Sequence, residues 1–180
     1  MFDAWYNKMM KCGSKINLGM TDTDSFLIKL SRPDKFFKNF DCYMDYSNYE
    51  KENPKFENSN KAKLGFFKDE LCGKFVCKEF IGLRSKCYAL NLLDIENNDK
   101  KEKKVCKGVG RAAIANRLKF DQYKDCLLQN KTFRHEFHGI RSNNHKIKTV
   151  LIKKKALSFI DTKRWIFDWH TLGSLRLFPN

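Results

Sequence analysis

Ile16-Asn17-Leu18-Gly19-Met20-Thr21-Asp22-Thr23-Asp24-Ser25-Phe26-Leu27-Ile28-Lys29-Leu30 is the stretch that decides how this chain is read. Apolar residues alternate on both sides of a polar tip: Ile16, Leu18 and Met20 before it, Phe26, Ile28 and Leu30 after it. Period-2 alternation around a polar centre predicts a β-hairpin. Two carboxylates, Asp22 and Asp24, then stand at its turn among the hydroxyls of Thr21, Thr23 and Ser25. Exposed oxygens on a rigid support suit a hard cation such as Mg²⁺. The same residue types also favour turns for purely local hydrogen-bonding reasons, so the five residues alone fit an ordinary Asp-rich turn equally well.

Outward from the hairpin, Phe2, Trp5, Tyr6, Met9 and Met10 fall at helical spacing and predict a short helix over 2–12. Pro33 suits the first position of a helix over 33–40. Residues 41–62, rich in Asn, Asp, Ser and Tyr with Pro54 inside, predict a long mobile loop. Strands are expected at 64–70, 75–84 and 86–92, with a bulge or bend at Arg84-Ser85, followed by a charged loop over 94–104. Ala112–Leu118 and Phe120–Leu128 suit two short helices. Alternation returns over 131–155, with Asn143-Asn144 as the hairpin turn, and 163–169 suits a last strand. The expected class is α+β with antiparallel pairing, divided into 1–104 and a basic 105–180.

Charge is concentrated. The chain of 180 residues has a formal net charge of +15, and 101–155 holds 16 Lys and Arg against four acids, a balance of +12. A field of that size in one segment points to a polyanionic partner. Seven cysteines at irregular spacing, with no C-x-x-C, argue against structural zinc and against a disulfide framework, and for packing thiols of an intracellular protein. His135 and His138, three apart on a strand, face opposite sides and do not make a metal pair. No run of 18 apolar residues spans a membrane and no signal-peptide core opens the chain. The abrupt structured start at Met1-Phe2-Asp3-Ala4-Trp5 suggests a piece of a longer chain.

Lys86 and Tyr88, two apart on an expected strand, share a face. An ammonium beside a phenol suits phosphate and base or sugar contacts, although an exposed Lys beside a half-buried Tyr reads as ordinary surface. In order along the chain stand Met20-Thr21-Asp22-Thr23-Asp24-Ser25, Leu64-Gly65-Phe66-Phe67-Lys68-Asp69-Glu70, Glu79-Phe80-Ile81-Gly82-Leu83-Arg84-Ser85-Lys86-Cys87-Tyr88 and Lys107-Gly108-Val109. Lys155-Ala156-Leu157-Ser158 and Asp161-Thr162-Lys163-Arg164-Trp165 close the series. This order resembles the C-terminal half of protein-primed family B DNA polymerases, nearest to those of Polinton/Maverick transposons and related viruses and linear plasmids. The family's third palm motif, Tyr-x-Asp-Thr-Asp-Ser, has Met20 here in place of its aromatic.

The resemblance implies DNA-directed nucleotidyl transfer by two Mg²⁺ (or Mn²⁺) ions, one activating the primer 3′-hydroxyl and one holding the incoming dNTP. It makes Asp24 the principal metal-binding acid and Asp22 a weaker contributor. Thr23, Ser25, Lys86, Tyr88, Lys107 and Arg111 become DNA or primer contacts, and 1–104 and 105–180 become palm and thumb. The implied partners are a DNA primer-template, dNTP and a terminal-protein primer. If the thumb neutralises about six phosphates, log K falls with log[salt] at a slope of roughly −5.

The family's earlier palm motif (Asp-x-x-Ser-Leu-Tyr-Pro) and fingers motif (Lys-x-x-x-Asn-Ser-x-Tyr-Gly) do not occur in these 180 residues. The chain is therefore expected to be a fragment of the enzyme, inactive alone, or a non-catalytic DNA-binding remnant of a mobile element. A glycosyltransferase-type Asp-x-Asp turn leaves the basic segment and the Lys-x-Tyr strand without a role.

Overall fold

The computed structural model describes residues 2–160, 164–166 and 174–176. Helices and antiparallel strands are mixed, an α+β fold. The chain forms two compact units, Met1–Lys78 with Leu92–Lys101, and Glu79–Asn91 with Glu102–Asn180. This division differs from 1–104 and 105–180, because 79–91 joins the C-terminal unit.

The first unit opens with α1 (Phe2–Met10), then β1 (Ile16–Asp22) and β2 (Ser25–Leu30), paired antiparallel from Ile16↔Leu30 to Asp22↔Ser25. Ile16 is buried and Leu18, Met20, Phe26, Ile28 and Leu30 are half-buried, so the alternating residues face the core as the sequence predicts. The register shifts between Leu18 and Met20, leaving Gly19 as the extra residue of a bulge. A Cβ on Gly19 would come within 3.2 Å of the Leu27 carbonyl oxygen, so the bulge closes here because no side chain stands in the way.

Helix α2 (Pro33–Phe40) has Pro at its start and buries Phe36 and Phe40. The core gathers Met9, Cys12, Ile16, Phe36, Phe40, Met44, Tyr46 and Tyr49. Trp5 packs edge-on against Phe67 at 4.9 Å and Tyr43 at 5.4 Å.

Residues 41–45 depart from the loop expected over 41–62, whereas 46–62 hold only turns and bends. A 3-10 turn at Asp41–Tyr43 leads into β3 (Met44–Asp45), and Met44, Asp45, Tyr46 and Tyr49 are buried. The strand expected over 64–70 shrinks to β4 (Phe67–Lys68), which pairs parallel with β3. Only Phe67 of that stretch enters the core cluster, while Leu64 is 99% exposed.

A three-stranded sheet has the order β5 (Phe75–Arg84), β6 (Cys87–Asp94), β7 (Lys100–Cys106). The charged loop expected over 94–104 shortens to 95–99, because β7 begins at Lys100. Arg84 and Cys87 are joined by a two-residue turn, Ser85-Lys86, rather than a bulge, with Lys86 at φ 55°.

The second unit adds α3 (Arg111–Arg117), α4 (Phe120–Leu128), and the long hairpin of β8 (Phe133–Asn143) and β9 (Lys146–Leu157). Its core holds Ile81, Cys87, Ala89, Cys106, Leu118, Phe120, Tyr123, Cys126, Ala156 and Leu157. Phe120, Tyr123 and Cys126 bury one stripe of α4, and the Tyr123 hydroxyl donates to the Val105 carbonyl at 3.2 Å. The hairpin turn is Asn144-His145, one residue later than expected, with φ of 49° and 56°. Positive φ at both central residues is the type I′ geometry that matches strand twist. His135 is half-buried and His138 exposed, on opposite faces as predicted. Short strands β10 (Arg164–Ile166) and β11 (Ser174–Arg176) pair antiparallel. Asp161, Thr162 and Lys163, and residues 167–169 of the expected last strand, lie outside the described residues.

Candidate metal and nucleic-acid sites

Strands β1 and β2 place the acid pair. Thr23 and Asp24 form the two-residue loop between the paired Asp22 and Ser25. Thr23 lies at φ 60°, and the Asp24 N–H donates to the Asp22 carbonyl at 2.8 Å, drawing the chain sharply back. The Ser25 hydroxyl donates to the same carbonyl at 3.1 Å, and the Thr23 hydroxyl donates to Asp22 Oδ1 at 3.4 Å. Asp22 is half-buried, whereas Thr23, Asp24 and Ser25 are exposed. The turn therefore presents hard oxygen donors to solvent from a strand pair whose other end is fixed in the core.

That donor set suits Mg²⁺ or Mn²⁺ in chemistry. It falls short in number, because among the described residues no group of three or more His, Cys, Asp or Glu is placed to hold a metal ion. Two carboxylates can anchor one ion whose remaining ligands are water or substrate; they do not make the two-ion centre that the resemblance implies.

Two other acids of the same unit are fully engaged. Asp45, 2% exposed, accepts the Ser47 N–H at 2.9 Å through Oδ1 and the Ala62 N–H at 3.2 Å through Oδ2, with Lys68 Nζ 3.5 Å away. Burial pushes its carboxyl up, but those two N–H donors and the Lys68 ammonium outweigh it and hold the group below the usual carboxylate range. Asp69 accepts from the Leu71 N–H through Oδ1, and from the Gly73 N–H and the Tyr49 hydroxyl through Oδ2, the last two at 2.9 Å. Burial and the neighbouring Asp69 carboxylate push the Tyr49 phenol up. Asp45 and Asp69 thus organise residues 44–74. Sequence reasoning did not mark Asp45 at all; its signal is the Asp45-Tyr46-Ser47 spacing of a side-chain-to-backbone turn.

The excess of basic over acidic residues lies in the second unit. Lys86 stands in the Ser85-Lys86 turn, so the expectation that it shares a strand face with Tyr88 is corrected: Tyr88 lies on β6 and Lys86 precedes the strand. The Tyr88 ring sits 6.5 Å from Phe80 on β5. The Lys107 N–H donates to the Lys86 carbonyl at 2.8 Å, which brings the Lys-x-Tyr and Lys-Gly-Val segments side by side. Gly108, at φ 91°, and Gly110 then turn the chain into α3, whose first residue is the exposed Arg111. Arg111 also lines a shallow cleft with Glu102, Lys104, Ile114 and Ala115.

The β8–β9 hairpin supplies a second cationic surface. Its register sets Arg141 opposite Lys148, Asn143 opposite Lys146 and His135 opposite Lys154 on one face, with Lys154 Nζ 5.8 Å from the Phe137 ring centroid. The other face has Arg134 opposite Lys155 and Glu136 opposite Lys153, the latter an ion pair at 2.9 Å. Sequence reasoning located this basic segment but not its two unlike faces, which only the register reveals.

The structure therefore groups Asp22, Thr23, Asp24 and Ser25 on one turn of the first unit, and Lys86, Tyr88, Lys107 and Arg111 in the second. Among the described residues no helix is long and apolar enough to cross a membrane. Comparison with family models, with curated proteins and with solved structures finds no match to this chain.

Proposed function

We propose that the chain supplies the acid-turn part of the palm and the basic thumb of a protein-primed family B DNA polymerase, and that it does not polymerise by itself. The observation that carries this reading is the Asp22-Thr23-Asp24 tip, held out to solvent by a strand pair rooted in an aromatic core. The pairing of Lys86 with Lys107 through their backbones supports it, since two motifs of the resemblance meet there. In this reading Asp24, assisted by Asp22, would hold one Mg²⁺ or Mn²⁺ ion. The second ion needs a carboxylate from the earlier palm motif. Lys86 and Tyr88 steady the primer strand, and Lys107, Arg111 and the β8–β9 hairpin grip the duplex backbone.

The test uses two proteins. These 180 residues should bind duplex DNA with strong salt dependence and incorporate no dNTP in Mg²⁺; measurable primer extension by the chain alone overturns the reading. In a polymerase completed with the earlier palm and fingers segments, Asp24→Asn should abolish extension while DNA binding persists. Near-normal extension by that variant removes the metal role from Asp24. A second reading, a basic DNA-binding module with idle acids, draws on the two motifs that do not occur in the sequence. It predicts that the completed protein binds DNA but never extends a primer.

A further inference from the structure

The register of β6 against β7 can be read at both ends. The Asp94 N–H donates to the Asp99 carbonyl at 2.8 Å, and the Lys107 N–H donates to the Lys86 carbonyl at 2.8 Å. Lys86 lies eight residues before Asp94 and Lys107 eight after Asp99, so the two bonds share one register with no net slip. Cys87 therefore stands opposite Cys106. Because hydrogen-bonded pairs alternate along an antiparallel ladder, theirs is a non-hydrogen-bonded pair, the kind in which Cα atoms lie only about 4.5 Å apart. That spacing falls inside the range of about 4.4–6.8 Å that a disulfide bridges.

The side chains agree with the backbone. Cys87 Sγ and Cys106 Sγ are 3.9 Å apart, and both residues are buried, at 1% and 2% exposure. The Cys106 thiol donates to the Ala156 carbonyl at 3.1 Å, which also receives Arg84 Nη2 at 3.4 Å. The Cys106 thiol beside it, with Arg84, holds the Cys87 thiol below the usual thiol range against the opposing effect of burial. The same contact, together with burial, pushes Cys106 up.

We propose that Cys87 and Cys106 are a modification site: a reversible, peroxide-driven disulfide that staples β6 to β7 next to Lys86 and Lys107. The Cys87 thiolate attacks one oxygen of a hydroperoxide. The O–O bond breaks, a Cys87 sulfenic acid forms, and the departing oxygen leaves as water or alcohol after taking a proton. Cys106 sulfur then attacks the Cys87 sulfur, the S–O bond breaks, and the Cys106 proton leaves with the hydroxyl as water. Two thiols give up two electrons and two protons, and one peroxide is reduced. Access requires local opening at the buried end of β7, the last strand in the sheet order, where Cys106 lies. Native proteins open locally at free energies below that of global unfolding. Joining the sulfurs requires them to approach by about 1.9 Å to reach the bonded distance.

The full chain, reduced and then treated with hydrogen peroxide, is alkylated and mapped by mass spectrometry. The expected result is a linked pair of peptides carrying Cys87 and Cys106, two hydrogens lighter than the sum of the free peptides and separated again by a thiol reductant. Two of the seven thiols disappear from the alkylation count. Cys106→Ser removes the link and Cys126→Ser leaves it. A different linkage, such as Cys12 with Cys42, overturns the proposal. So does a chain in which exposed Cys42 is oxidised while Cys87 and Cys106 both still accept the alkylating agent. The decisive map is made on the unsubstituted chain, so a variant that fails to fold does not blunt it, and no arm depends on polymerase activity.

Discussion

The two faces of the β8–β9 hairpin make a quantitative claim about nucleic-acid binding. One face carries Arg141, Lys146, Lys148 and Lys154 with no acid among the facing pairs. The other carries Arg134, Lys153 and Lys155, but Lys153 is already held by Glu136 at 2.9 Å. If the first face meets phosphates, replacing its four cations by Gln removes four phosphate contacts. At about 0.9 per contact for duplex DNA, the slope of log K against log[salt] becomes shallower by about 3.6. Across a fourfold rise in salt that is a difference of roughly 150-fold in the affinity lost. The four residues are exposed, so the fold should survive. The Arg134→Gln, Lys153→Gln, Lys155→Gln variant should change the slope by about 2 or less, because Lys153 is engaged by Glu136. Fluorescence anisotropy of a labelled duplex, titrated at several KCl concentrations, measures both slopes. A four-residue variant whose slope stays within about one unit of the unsubstituted chain refutes the assignment of this face.

Three further outcomes concern stability. Asp45→Asn keeps an acceptor for Ser47 but loses the charge that Ala62 and Lys68 meet, and should cost about 2 kcal/mol at pH 7 in urea unfolding. Because the folded-state carboxyl is held low, its contribution is present above the unfolded value of about 3.9 and is lost as pH falls through the folded value. The gap between Asp45→Asn and the unsubstituted chain should therefore narrow below about pH 4, and a gap constant with pH speaks against the linkage. Leu118→Ala, at a side chain 1% exposed in the core of the second unit, should cost about 3 kcal/mol in the same assay. Gly73→Ala places a Cβ 2.9 Å from the Tyr49 ring at φ 65° and should cost about 1–3 kcal/mol. It should also speed proteolysis within 44–74; unchanged cleavage there argues against Tyr49 and Asp69 as the anchor of that segment.

Elements with a local signal were legible in the sequence. Alternation either side of Asp22 and Asp24 gave the β1–β2 hairpin, Pro33 marked the start of α2, and the second alternating tract gave β8 and β9 to within one residue at the turn. Residues 41–74 were not legible, because their order comes from long-range bonds. Ala62 N–H reaches Asp45, and the Tyr49 hydroxyl reaches Asp69, 17 and 20 residues away in sequence. No periodicity encodes such contacts. Strand β7 was missed for a related reason. Lys100-Lys101-Glu102-Lys103-Lys104 buries nothing at its start, and only Cys106, at the strand's end, is fully buried. Its extended form comes from pairing with β6 rather than from its own composition. At the candidate sites the acid turn was legible as a turn. The meeting of Lys86 with Lys107 was not, since it depends on that same β6–β7 register.

Asp24, Asp45 and Asp69 of the first unit differ in how far their oxygens are already engaged. Asp45 and Asp69 each meet three donors, and a carboxylate so engaged would have to give up N–H bonds before it could bind a cation. Their work is to fold the chain: Asp69 belongs to the Leu64–Glu70 segment of the resemblance, yet its oxygens are spent on Leu71, Gly73 and Tyr49. The same segment puts Phe67 against the core and Lys68 beside Asp45. Asp24 is different in kind. It is exposed, and its backbone, through the bond from its N–H to Asp22, rather than its carboxylate, shapes the turn. Asp24→Asn should accordingly leave the urea midpoint of the chain where it is while weakening Mn²⁺ binding at the tip. Asp69→Asn should do the reverse. That contrast separates an acid placed for a ligand from one placed for the fold, and it can be read without any polymerase assay.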